Sequence, residues 1–207
     1  MSRPFPILGL VLVGVACAGD GNPAGSTPAD STAVQDSLHF IRPAASAPPL
    51  GERQVSFWAV RGDTREVRLM YRARAGGTDS VEFARLRVES RSLVNRPDGT
   101  PIAQGDSILI TLQVVDTMRL ITEFSPQGLE FSASRPARLW LKFGEADPDL
   151  NGDGNVDGTD TALLFALRVW RQEQPGDPWS LLPSSVDTVS KEVEADIPGF
   201  TRYALSY

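Results

Sequence analysis

The chain has 207 residues, with 20 Lys and Arg against 26 Asp and Glu, one histidine and one cysteine. A net charge of −6 offers no basic surface to match a run of phosphates, which excludes nucleic acid as a partner. One cysteine excludes an intrachain disulfide framework, and the single His39 excludes a zinc site built from several histidines.

The N-terminus carries Arg3 and then an apolar run over residues 7–16. That run has signal-peptide length and is too short to span a bilayer as a mature helix. It closes on Gly14-Val-Ala-Cys17, which resembles a bacterial lipobox, with Gly14 where Leu is usual. The resemblance implies that residues 1–16 are a signal peptide, that Cys17 is lipidated, and that the membrane is reached through that lipid. Two or more acyl chains give stable attachment. Removal of Arg3 leaves a net charge of −7, so charge does not hold the protein to anionic lipid. Ala18, where Asp would signal inner-membrane retention, favours an outer-membrane or periplasm-facing location in the cell envelope.

Residues 17–50 are rich in Ala, Pro, Ser, Thr, Gly and Asp and are expected to form a flexible tether. A coil of that length spans roughly 30–35 Å. Residues 37–41 make a short strand or docking segment within it.

Residues 51–207 suffice for one core. Their hydrophobic pattern has mostly period two, the signature of strands. Strands are predicted at residues 54–60, 65–72, 81–88, 107–115, 119–124, 129–131 and 137–143. Three more are predicted at 179–182, 188–195 and 201–206. Val67, Leu69 and Tyr71 share one face, as do Ile108, Ile110, Leu112 and Val114, and Leu139, Leu141 and Phe143. Turns fall at residues 76–79, 95–101 and 125–128, rich in Gly, Pro, Asn and Asp. The prediction is a mainly β fold, an antiparallel β-sandwich with one inserted loop–helix unit.

That unit starts at Asp149-Leu-Asn-Gly-Asp-Gly-Asn-Val-Asp-Gly-Thr-Asp160. Side-chain oxygens recur at loop positions 1, 3, 5, 9 and 12: Asp149, Asn151, Asp153, Asp157 and Asp160. Calcium takes six to eight oxygens, so short acidic and amide side chains must converge from a tightly curled backbone. Gly154 supplies the turn at position 6, the Asn155 carbonyl the seventh ligand, and Val156 an anchor to the core. Position 12 holds Asp160 in place of the usual bidentate Glu. A helix is predicted over residues 159–172, with Leu163, Leu164, Leu167 and Trp170 on its apolar face. Loop and helix together, over about 149–172, resemble one half of a dockerin repeat. Dockerins carry two such units, and this chain has one, so calcium binding is implied more directly than docking to a cohesin. The expected role of the ion is to staple the insertion to the sandwich.

Ser125-Pro-Gln-Gly-Leu-Glu-Phe-Ser132, Pro136-Ala-Arg-Leu-Trp-Leu-Lys142, Trp179-Ser-Leu-Leu182 and Gly199-Phe-Thr-Arg-Tyr-Ala204 follow in that order. The succession resembles ZU5-like β-sandwiches over about residues 83–207 and implies a structural or interaction module. Some such domains cut themselves at His-Phe-Ser. Here Gly199 replaces the histidine, so Thr201 has no base and self-cleavage is not expected.

No catalytic set is expected. Glu145 and Asp147 raise a glycoside-hydrolase alternative, but they abut the calcium loop, where solvated or outer-shell roles serve them better. Arg61-Gly-Asp63 reads as a turn rather than an integrin ligand. Trp58, Trp140, Trp170 and Trp179 raise a carbohydrate-binding alternative. Trp140 and Trp170 are expected inside and Trp179 the most exposed. The overall expectation is a non-enzymatic, lipid-anchored envelope protein with calcium as its cofactor and an envelope protein or glycan as partner.

Overall fold

The computed structural model describes residues 37–207. The expected signal peptide, Cys17 and most of the expected tether lie outside the described residues. Strands β1 (Gln54–Val60), β2 (Arg65–Met70), β3 (Glu82–Val88), β4 (Leu93–Asn95) and β5 (Ser107–Asp116) come first. β6 (Ile121–Ser125), β7 (Glu130–Phe131) and β8 (Ala137–Lys142) follow, then one helix, α1 (Gly158–Ala166). The chain closes with β9 (Arg168–Gln172), β10 (Trp179–Leu181), β11 (Ser184–Asp187), β12 (Glu192–Ile197) and β13 (Arg202–Ser206).

The strands form two antiparallel sheets, in the orders β1-β5-β6-β13-β9-β10 and β11-β12-β8-β3-β2, with β4-β7 as a small ribbon. This is the predicted mainly β sandwich. In β5, Ile108, Ile110, Leu112 and Val114 are buried while Ser107, Leu109, Gln113 and Val115 face solvent. In the other sheet Leu139 stands in register between Leu86 and Ala195, and Leu141 between Ala84 and Val193. These inner faces merge into one hydrophobic cluster. Each fully buried aliphatic side chain there contributes about 1.5–3 kcal/mol. Tyr203 locks the last strand: its hydroxyl donates to the Gly199 carbonyl at 2.6 Å, as in the tyrosine corner of other sandwiches.

The outer face of the five-stranded sheet is a charged lattice. Arg85 lies 4.2 Å over the Trp140 ring, whose indole N–H donates to Glu194 at 2.9 Å. Arg138 pairs with Glu194 and Asp196, and Lys142 and Arg85 with Glu192. Trp140 is therefore buried, as expected, but under guanidinium groups on the outer face rather than between the sheets.

Four expectations are corrected. The predicted helix over 159–172 ends at Ala166. Leu167 turns extended, and residues 168–172 pair along β13 from Arg168↔Ser206 to Gln172↔Arg202. A neighbouring strand satisfies every second backbone group there, and that neighbour overrides the helical spacing. Trp170 consequently stands in β9. Of the single strand predicted at 188–195, residues 188–191 are instead the turn of a hairpin that joins β11 to β12. Asp187 makes that turn by accepting from the amides of Val189 and Ser190 and from the Ser190 hydroxyl, while Lys191 adopts φ 52°.

The tether boundary at residue 50 also moves. Ile41 is 2% exposed and its amide donates to the Leu205 carbonyl. Ala44 donates to the Glu145 carbonyl, Arg42 accepts from the Asp147 amide, and Leu50 bridges Tyr71. Residues 39–50 are a strap laid on the sandwich. Finally, Trp58 rather than Trp179 is the exposed tryptophan, at 60%, on the outer face of β1.

Candidate metal centre

Loop 149–160 leaves the sandwich from β8 and returns through α1. It is wound around four carboxylates. Asp149 accepts from the amides of Gly152 and Asp153 with one oxygen and from Gly154 with the other, at 2.8–3.1 Å. Asn151 accepts from the Asp153 amide, and Asp153 from the Asn155 amide. Gly152 and Gly154 have φ of 73° and 88°, the left-handed conformation that lets so short a ring close.

Asp160 sits beneath this ring, 3% exposed. One oxygen accepts from Leu150 and Asn151, the other from Asp157. The Asp157 amide first, and those of Asn151 and Leu150 next, hold its carboxyl below the usual carboxylate range. Asp157 is the N-cap of α1 and accepts from the Thr159 amide at 2.7 Å, which makes a reciprocal capping box with Asp160. Asp160 thus closes the ring, and together with Asp157 it starts the helix.

The expected donors are brought into one ring, in order, on one side of the sandwich. Their carboxylates are nevertheless turned onto backbone amides. Among the described residues no group of three or more His, Cys, Asp or Glu is arranged to hold a metal ion. The donor set suits calcium by type: hard oxygens from Asp149, Asn151, Asp153, Asp157 and Asp160, and an Asn155 carbonyl free of the ring's hydrogen bonds. Gathering six oxygens around one ion requires those side chains to turn toward a common point, each carboxylate oxygen keeping a second lone pair for its amide.

Val156, expected to anchor the loop, is 65% exposed. The anchor is Leu150, which packs against the core and whose carbonyl accepts from the Tyr207 hydroxyl. Tyr207 stacks on His39, with ring centroids 5.3 Å apart and planes 11° from parallel. A cavity of about 440 Å³ lies between the loop root and the strap, with His39, Arg42, Asp147, Asp149, Asn151 and Tyr207 among its walls. Residue spacing does not reveal this corner, because strap and C-terminal strand come from opposite ends of the described chain.

The remaining sequence candidates are dispersed. Glu145 pairs with Arg74 at 2.5 Å, and Asp147 accepts from the Asp149 amide. The Thr201 hydroxyl is buried and donates to the carbonyls of Gln172 and Glu173. Arg61 donates to the Ile102 carbonyl and Asp63 pairs with Arg65, so both charged ends of Arg61-Gly-Asp63 are engaged within the chain. No protein family, curated protein or solved structure matches the chain.

Proposed function

We propose that this protein is a non-enzymatic, lipid-anchored module of the bacterial envelope whose loop 149–160 binds one calcium ion. In this reading Cys17 carries the lipid, and the sandwich presents a surface to an envelope protein or glycan. Calcium fixes the ring, the start of α1 and the loop root against Tyr207. The reading is carried by one observation: the six candidate ligand residues lie in a single ring closed by Asp160. The half-dockerin and ZU5-like resemblances are part of the proposal. The exposed Val156 agrees with a loop that has no second copy to pack on.

Calorimetric titration of the full chain with calcium tests this. One saturable site, lost in an Asp149→Ala/Asp153→Ala double variant, is expected. A single extracellular-type loop binds at about 10⁻⁴–10⁻³ M. Absence of heat up to millimolar calcium, or equal binding by the double variant, refutes it.

Trp58 favours a second reading, a glycan-binding face. It is exposed beside Leu109, and the neighbouring Ser56 and Thr111 hydroxyls share a 2.8 Å hydrogen bond. Retention on envelope polysaccharide in affinity electrophoresis, abolished by Trp58→Ala, is the outcome that reading requires.

A further inference from the structure

A second groove, of about 480 Å³, runs between the strap and the β5–β6 turn, away from the loop. Its walls include Leu50, Met118 and Leu120. Met118 is exposed at the lip, where an unbranched thioether adapts to different shapes. Tyr71 also stands in the wall, its side chain almost wholly buried. The Tyr71 hydroxyl is buried with no hydrogen-bond partner. Native structures rarely leave a buried hydroxyl unsatisfied, so this one, on a residue of the groove wall, calls for a partner. Burial first, and the Glu145 carboxylate second, push its pKa up to about 12, so it stays a hydrogen-bond donor throughout the physiological range.

Arg53 and Arg72 flank the same groove. Both are exposed, and neither forms an ion pair with a described residue. Arginine is the side chain best suited to hold a planar carboxylate or a phosphate. Two unpaired guanidinium groups, an apolar wall and a buried donor fit a molecule with an apolar body and a negative head. A bare inorganic anion would leave the apolar wall wet, and a neutral lipid would leave both arginines unmatched.

We propose that this groove binds a single small amphiphile, its apolar body against Leu50, Met118 and Leu120, its anionic head between Arg53 and Arg72, and one oxygen accepting from the Tyr71 hydroxyl. The volume is in the range of small-molecule sites. The head is a carboxylate or a phosphate, and the probe that binds tighter names its source.

The test is titration of the full chain with decanoate, decyl phosphate, decanol and inorganic phosphate, each below its aggregation concentration. At least one anionic amphiphile binds with one-to-one stoichiometry, and decanol and inorganic phosphate bind at least about tenfold more weakly. Arg53→Gln/Arg72→Gln weakens the anionic probe by about tenfold and leaves decanol unchanged. Tyr71→Phe weakens it as well, with a melting temperature no lower than that of the parent, since only an unpartnered hydroxyl is lost. Failure of both anionic probes to saturate overturns the proposal. So do equal affinities for decanol and the tighter anionic probe, and so does Tyr71→Phe with unchanged affinity for that probe.

Discussion

Leu139 and Asp160 are both buried, and they hold opposite kinds of structure together. Leu139 lies between Leu86 and Ala195 in a sheet whose inner face is continuous with the core. Asp160 has no such company: residues 151–159 around it are all exposed, and it is fixed by three backbone amides. The first region is stabilised by removing apolar surface from water, which needs no ligand. The second depends on charge meeting oriented amides, a balance that a divalent cation redirects. Under the calcium proposal the ion acts on the loop, the helix start and the strap corner, and the sandwich core does not depend on it.

The largest effect expected is in the core. Leu139→Ala removes a fully buried side chain and costs about 2–5 kcal/mol. Urea unfolding should show the same loss with calcium and with chelator. A calcium-dependent loss would join the two regions that the comparison separates.

Asp160→Ala comes next. It uncovers the amides of Leu150, Asn151 and Asp157 and removes half of the capping box. The expected outcome is a smaller fall in the urea midpoint than for Leu139→Ala, with the calcium-induced rise abolished. A variant that still gains stability from calcium would remove Asp160 from the site.

A third, smaller effect lies at alkaline pH. Tyr71 has a folded-state pKa of about 12, above its ordinary value near 10. Its neutral form is favoured by folding, so its contribution is complete below pH 10 and is lost as pH rises from 10 to 12. Tyr71→Phe should flatten that part of the pH–stability curve. An unchanged curve would place the alkaline loss elsewhere, for example at Tyr203, whose hydroxyl burial also pushes its pKa up.

How far the chain could be read from its residues varied for physical reasons. β5 and β8 were legible because burial on one face writes a period of two into the side chains, as in Ile108, Ile110, Leu112 and Val114. β9 was not, because Leu163, Leu164, Leu167 and Trp170 also satisfy helical spacing, and the deciding hydrogen bonds come from β13, some thirty residues away. The β11–β12 turn carries no Gly or Pro, and its signal is the side chain of Asp187. The candidate ligands were legible as a spacing in one segment. Their anchor was not, since Leu150 is held by Tyr207 and the strap by Leu205, contacts between distant parts of the chain.

The most direct test is amide hydrogen exchange of the full chain with calcium and with chelator, read residue by residue. Slower exchange at Gly152, Asp153, Gly154 and Asn155 with calcium, and unchanged exchange in β5 and β8, is the predicted result. Identical exchange across residues 149–160 in both conditions, at calcium concentrations up to the millimolar range, would contradict it.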